Sequence, residues 1–402
     1  LSTYNRSLIH TNNEAVLAES HGLGPSIAMR RKSGSGSNRS TVGTLSGMYD
    51  SLRLLYARIG AQNGLNYSAQ NFSFNHHSGA CSSCGGLGFQ LKCDPDAVIV
   101  NPNLSLFEGA ISDNKAVNYY GDQHGQFMAT LQALAHENTW DLSQPWNSLS
   151  EEQQEIILYG GDDAEWEVEW TYKTKSRIGT QQLKAKWLGL CTYINDEFQR
   201  RLTAKNKLAL DAVMHEVKCS TCEGSRLKKE LLETKFLGLN IHELTQLTIS
   251  ECNDLLQESI KLNSSAEEKI ANAILPGVQR KMKPILDLGL GHLSMNRSVK
   301  SLSGGETQRI TLAGQFSADL FGVTYVLDEP TIGLDAQQVE ALMNLLHGLV
   351  AKGNTIVAVE HDRQFIQSAD YIIEMGPNAG NAGGEVVFQG TRAELSKHSE
   401  TL

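Results

Sequence analysis

Residues 301–335 constrain this chain more than any other stretch. They read Ser-Leu-Ser-Gly-Gly-Glu-Thr-Gln-Arg and, after a helical run, Tyr-Val-Leu-Asp-Glu-Pro-Thr-Ile-Gly-Leu-Asp. Ser303, Gly304 and Gly305 open a helix expected over residues 307–316. A Ser-Gly-Gly turn in that place presents backbone N–H groups and the positive helix end to a phosphate. Residues 325–327 form a short apolar run, expected as a buried strand, that ends in Asp328 and Glu329. This puts one acid where Mg²⁺ can be held and a second beside it to orient water. Gly333-Leu334-Asp335 follows, then a helix, a second apolar run over residues 355–359, and Glu360-His361-Asp362. His361 thus leaves a second strand within reach of the same γ-phosphate. Each feature alone is unspecific; their order points to an α/β ATPase core.

The remaining composition narrows the class. At 402 residues the chain can hold two or three domains. No stretch reaches the run of about 18 apolar residues needed to span a bilayer, and the start has no apolar leader, so a cytoplasmic protein without a membrane part is expected. The chain begins with Leu, which suggests an internal piece of a longer protein. A net charge of −10 argues against a chain basic throughout but leaves room for local basic patches. Seven cysteines, an odd count without a secretory signal, favour reduced thiols or metal ligands over disulfides.

Along the chain, residues 25–29 read as a short strand, residues 33–40 as a Gly/Ser loop and residues 44–60 as an amphipathic helix, with Leu45, Met48, Leu52, Leu55 and Ile59 at spacings of three and four. That strand–loop–helix order invites a phosphate-loop reading. Residues 34–41, Gly-Ser-Gly-Ser-Asn-Arg-Ser-Thr, have neither the second Gly nor the Lys of G-x-x-x-x-G-K-[ST], so no Walker A motif is expected here. Residues 113–215 form a mixed segment. Its first part is acidic (Asp162, Asp163, Glu165, Glu167, Glu169). Its second part is basic, with nine Lys or Arg over residues 170–207 and Trp170, Tyr172, Trp187 and Tyr193 among them. Lys184, Lys186, Arg200 and Arg201 are the candidate DNA-phosphate contacts; the alternative is a solvated helix face. Residues 240–300 look helical, with Pro276 and Pro284 as breaks.

Cys81-x-x-Cys84 and Cys219-x-x-Cys222 share the pattern C-x-x-C-x-G. Such turns aim two thiolates at one ion, and the glycines let backbone N–H groups approach the sulfurs. A single Zn²⁺ held by all four is expected; the alternatives are two unrelated turns or a redox pair. Cys93, Cys191 and Cys252 read as isolated buried residues, and His76 and His77 as surface residues.

With both sets of motifs in hand, the chain resembles the UvrA family, the ABC-type ATPase subunit of the bacterial excinuclease, and most closely its N-terminal half. The resemblance rests on Gly22-Leu-Gly-Pro-Ser-Ile-Ala, Arg39-Ser-Thr-Val-Gly-Thr, Leu52-Arg-Leu-Leu-Tyr-Ala-Arg-Ile-Gly, Gly79-Ala-Cys-Ser-Ser-Cys-Gly-Gly-Leu-Gly, Asn101-Pro-Asn-Leu-Ser-Leu, Cys219-Ser-Thr-Cys-Glu-Gly-Ser-Arg-Leu and the 301–335 motifs. It implies an ATP-binding α/β core (residues 1–70 and 301–402), the two arms of a zinc module (71–112 and the start of 216–300), an α+β insertion that contacts DNA (113–215) and a helical signature domain (216–300). It further implies ATP, Mg²⁺ and Zn²⁺ as cofactors, and double-stranded DNA and a second ABC half or a homodimer as partners. By position, Ser303, Gly304 and Gly305 would be the signature, Asp328 the Mg²⁺-associated acid, Glu329 the residue that orients water, His361 the γ-phosphate sensor and Asp335 the acid of the loop between halves.

Three departures stand out. No Walker A segment or second half is present, so the 402 residues alone are not expected to turn over ATP. Only a short connector joins Gly60 to Phe72, where the repair members carry a UvrB-binding domain; this argues against a UvrB-like partner and suits an auxiliary or resistance-type paralogue. Arg30-Arg31-Lys32 stands where the family has Glu-Gln before Lys. Three function classes therefore remain: a DNA-surveying repair ATPase, a resistance or translation ATPase without damage recognition, and a non-catalytic zinc-stabilised DNA-binding module.

Overall fold

A computed structural model describes residues 22, 24–29, 37–62, 64–161, 164–173, 178–200, 207–258, 265–317, 320–377 and 384–395. The chain divides into two units, Leu1–Gly86 with Leu227–Leu402, and Leu87–Arg226.

The first unit is built on a three-stranded parallel sheet in the order Ser26–Met29, Thr324–Asp328, Thr355–Val359. The central strand alternates: Tyr325 and Leu327 are fully buried while Val326 and Asp328 are exposed, so one face of the sheet carries the core. Helix Gly304–Phe316 packs on that side, as does helix Ala336–Ala351, whose Leu342, Leu346 and Leu349 are buried. An antiparallel hairpin, Ile372–Gly376 with Glu385–Gly390, follows the sheet.

Two expectations about helices are corrected. The helix expected over residues 44–60 is two helices, Val42–Leu45 and Met48–Gln62. Thr41 and Thr44 close a capping box on the first, and Gly47, at φ 72°, makes the left-handed turn that ends it. Pro276 and Pro284 do not break anything: Ser265–Asp287 is one continuous helix with both prolines inside it. Each proline removes an intrahelical hydrogen bond. Burial of Ala271, Leu275, Val278, Met282 and Ile285 in the core shared with helix Met48–Gln62 outweighs that loss. Lys281 adds a tie, donating from Nζ to the Gly47 carbonyl at 2.7 Å and to Ser51 Oγ at 3.2 Å.

The second unit holds a two-stranded antiparallel sheet, Phe89–Cys93 with Met214–Lys218, and helices Lys115–Gly121, Gln126–Glu137, Glu151–Tyr159 and Leu190–Arg200 around a core of Val98, Val117, Met128, Leu131, Ile157, Trp187, Leu190 and Ile194. Tyr120 and Tyr193 stack at 5.3 Å with their planes 4° apart, and the Trp187 indole N–H donates to the Ile156 carbonyl. A hairpin, Trp166–Lys173 with Ile178–Ala185, lies against helix Gln126–Glu137. Two indoles fix it there: Trp166 Nε1 donates to Glu137 Oε2 at 2.7 Å and Trp170 Nε1 to the His124 carbonyl at 2.9 Å.

Candidate nucleotide and metal site

The acids read from the sequence stand at the ends of adjacent strands. Asp328 closes Thr324–Asp328 and is paired in register with Val359, the last residue of the next strand. The Glu329 amide donates to the Val359 carbonyl at 2.9 Å, which draws the two strand exits together. Glu329 itself sits at φ 44°, a left-handed conformation that costs a non-glycine residue energy and recurs at functional positions. His361 Nδ1 lies 3.9 Å from Glu329 Oε1 and 3.8 Å from Glu360 Oε2. Glu329 and His361, predicted from separate motifs, therefore share one small surface beside Asp328.

Ser303 caps helix Gly304–Phe316: its Oγ accepts from the Glu306 amide at 3.2 Å, and Glu306 Oε2 accepts from the Ser303 amide at 2.8 Å. Burial opposes ionisation of Glu306, but these hydrogen bonds and the nearby Arg297 outweigh it and hold the carboxyl below its ordinary range. The box leaves the first helical amides, on Gly304 and Gly305, at the positive end of a 13-residue helix. A Cβ on Gly305 would meet nothing within 4 Å, so nothing in the chain itself requires glycine there, while room for an approaching ligand would. Asp335 serves its own helix, accepting from the Gln338 amide at 2.9 Å as the cap of Ala336–Ala351.

Two residues that the sequence reading missed join these loops. Gln308, 4% exposed on the signature helix, donates through Nε2 to the carbonyls of Met29 and Asp328, both at 3.1 Å. Glu360, with a side chain 2% exposed, accepts hydrogen bonds from the loops after both strands. A buried amide and a buried acid are costly unless satisfied, and that cost is the signal that marks them in the fold. Neither is distinguishable in a single sequence from a solvated polar residue.

The cysteine pairs converge. The sulfurs of Cys81, Cys84, Cys219 and Cys222 all lie within 4.8 Å of one another, and all four residues are buried. The two turns match in backbone: Gly86 at φ 85° and Gly224 at φ 84° take the same left-handed position behind their cysteine pairs. A Cβ on Gly86 would fall 1.9 Å from the Phe74 carbonyl oxygen, so the turn admits only glycine. Thiolates placed tetrahedrally at about 2.3 Å from one ion stand about 3.8 Å apart, so this donor set fits Zn²⁺. His76 is half-buried, with Nδ1 on Ser78, and His77 is exposed. Cys93, Cys191 and Cys252 are all buried, and Asn195 accepts the Cys93 amide at 2.7 Å, which ties helix Leu190–Arg200 to the strand end. The neighbouring Cys191 thiol, then burial, pushes the Cys93 thiol up. Burial alone pushes Cys252 up to about 12, which leaves it an inert core thiol.

Of the candidate DNA contacts, Lys184 lies on the exposed face of the hairpin and pairs across it with Glu167 at 3.0 Å. Lys186 is half-buried just before Trp187, and Arg200 is exposed at the end of its helix. Arg201, with Lys175, Arg177 and Lys205, lies outside the described residues, as do Arg30-Arg31-Lys32 and residues 33–36 of the 33–40 loop. Among the described residues, no helix is long and apolar enough to cross a membrane.

Comparison with known proteins agrees with this geometry. Residues 94–209 match the UvrA DNA-binding domain. The chain is 35% identical to UvrABC system protein A of Methanothermobacter thermautotrophicus over 84% of its own length and 34% of that protein's. It is 37% identical to UvrABC system protein A of Thermus thermophilus over 82% and 34%. The crystal structure of UvrA2 from Deinococcus radiodurans superposes with a TM-score of 0.67 at 30% identity, covering 100% of this chain and 50% of that one. The chain belongs to the UvrA family, and spans about a third of the length of the curated relatives it matches.

Proposed function

We propose that the chain is the DNA-contacting, ATP-handling part of an ABC-type ATPase that surveys DNA in nucleotide excision repair. The observation that supports this most is the 3.9 Å approach of His361 to Glu329 at the exit of the Asp328 strand, in a chain that also carries the UvrA DNA-binding domain. The relatives above carry the name UvrABC system protein A, which does not favour the resistance or translation reading.

In this reading Asp328 would hold Mg²⁺, which supplies charge neutralisation at the β- and γ-phosphates. Glu329 orients the attacking water, and His361 donates to the γ-phosphate. Ser303 and the amides of Gly304 and Gly305 face the nucleotide of another half or subunit, where the positive helix end meets phosphate charge. The 402 residues contain no G-x-x-x-x-G-K-[ST], so the phosphate cradle comes from elsewhere. The open sheet face suits its docking: Val326, Val357 and Val359 are 36%, 48% and 63% exposed beside Asp328, although parallel sheets are normally covered on both sides. Cys81, Cys84, Cys219 and Cys222 would hold one Zn²⁺, which supplies folding energy to the two turns and no chemistry. Lys184, Lys186, Arg200 and Arg201 contact phosphates and do not read sequence. DNA is the double-stranded partner; the short residue 60–72 connector argues against a UvrB-like one.

The test is duplex binding as a function of salt together with ATP hydrolysis by the longest natural form of the protein. Salt-dependent binding with DNA-responsive hydrolysis supports the reading. Hydrolysis without duplex binding would return the chain to the resistance class.

A further inference from the structure

Glu360 has no role in the reading above, yet it is the most heavily bonded carboxylate of the site. Its Oε1 accepts from the Thr331 amide at 2.7 Å and from the Thr331 hydroxyl. Its Oε2 accepts from the amides of His361 at 2.8 Å and Asp362 at 3.1 Å. Thr331 belongs to the loop that leaves Asp328 and Glu329; His361 and Asp362 belong to the loop that leaves the neighbouring strand. The Glu360 side chain is 2% exposed, and Thr331 is 6% exposed. Burial opposes its ionisation, and the four donors overcome that and hold the carboxyl below its ordinary range.

We propose that Glu360 is a positioning residue for ATP hydrolysis: it clamps the loop of Glu329 to the loop of His361, so that the water-orienting acid and the γ-phosphate-contacting histidine keep one separation. The inference rests on the hydrolytic reading of Glu329 and His361. The clamp sets a distance between two groups that act on the same transition state, where a displacement of about 1 Å costs on the order of a hundredfold in rate. Glutamine cannot replace it. Each carboxylate oxygen receives two donors, so the amide nitrogen of Glu360→Gln meets N–H or O–H groups in either orientation.

The experiment uses the longest natural form of the protein and reads kcat and KM for ATP separately, with kcat normalised to measured ATP-binding stoichiometry. Glu360→Gln is expected to lower kcat about 10- to 100-fold with KM within about twofold of wild type. Added to Glu329→Gln it should cost little more, because both act at one step, whereas an effect on an independent step would multiply. Thr331→Val removes a single donor and is expected to lower kcat about three- to tenfold; it decides the matter if Glu360→Gln does not fold. A wild-type kcat in Glu360→Gln or, failing that variant, in Thr331→Val, or full multiplication in the double variant, overturns the clamp. The parent reading is tested separately by Glu329→Gln: if that variant hydrolyses ATP normally, the hydrolytic assignment itself falls. If it does not while Glu360→Gln does, only the clamp is lost.

Discussion

Glu329 holds a backbone conformation that no local preference supplies, and the surrounding hydrogen bonds impose it. Other acids of these loops are kept in order by hydrogen bonds: Glu360 by four donors, Glu306 by a capping box, Asp335 by a second capping box. Two predictions belong at this scale. Glu306 and Glu360 both have folded pKa values below the unfolded value of about 4.3, so each contributes stability that is whole above that pH and is lost as pH falls through the lowered folded value. Acid denaturation followed by circular dichroism should therefore show a shallower loss below about pH 4.3 in Glu306→Gln than in wild type; identical acid profiles would contradict the assignment. Asp335→Ala should cost about 1 kcal/mol of stability, read from urea unfolding, since it removes only a helix cap.

Among the secondary elements, the prolines of helix Ser265–Asp287 and the paired knuckle turns carry the most information. Gly277 lies inside that helix and a Cβ there would meet nothing within 4 Å. Gly277→Ala is expected to stabilise by about 0.8–1.0 kcal/mol, seen as a raised Tm; a lowered Tm would mean that the helix needs flexibility between its prolines. For the knuckles, metal analysis should find about one Zn²⁺ per chain, lost in Cys219→Ser together with thermal stability; unchanged metal content would rule the shared site out. The elements legible in the sequence were those with local signals: the strands ending in Asp328 and Val359, the helix opened by Ser303, and the C-x-x-C-x-G turns, whose chemistry is written in adjacent residues. What stayed hidden depends on contacts distant in sequence. Helix Ser265–Asp287 survives two prolines because of the core packed along it, Asn195 meets the Cys93 amide across 102 residues of sequence, and Gln308 and Glu360 acquire meaning only once strand ends meet.

At the scale of the whole molecule, the proposed function assigns nucleotide chemistry to the first unit, while residues 94–209, which match the UvrA DNA-binding domain, lie in the second. If the basic residues of that domain neutralise phosphates, replacing Lys184, Lys186, Arg200 and Arg201 with Ala should flatten the log–log salt slope of duplex binding by up to about 3.6, at about 0.9 for each phosphate no longer neutralised. An unchanged slope would make them a solvated face; the Glu167 partner of Lys184 already offsets part of its charge. The 402 residues alone should hydrolyse ATP far below a typical enzyme rate of about 10 s⁻¹, since phosphoryl transfer depends on a phosphate cradle they do not contain. The most direct measurement is steady-state ATP hydrolysis with bound-nucleotide analysis in the longest natural form of the protein, comparing wild type with Glu329→Gln in the presence of duplex DNA. The account predicts that Glu329→Gln retains ATP binding within a few fold while kcat falls by at least about a hundredfold, leaving ATP trapped on the protein. Wild-type turnover by Glu329→Gln would contradict it.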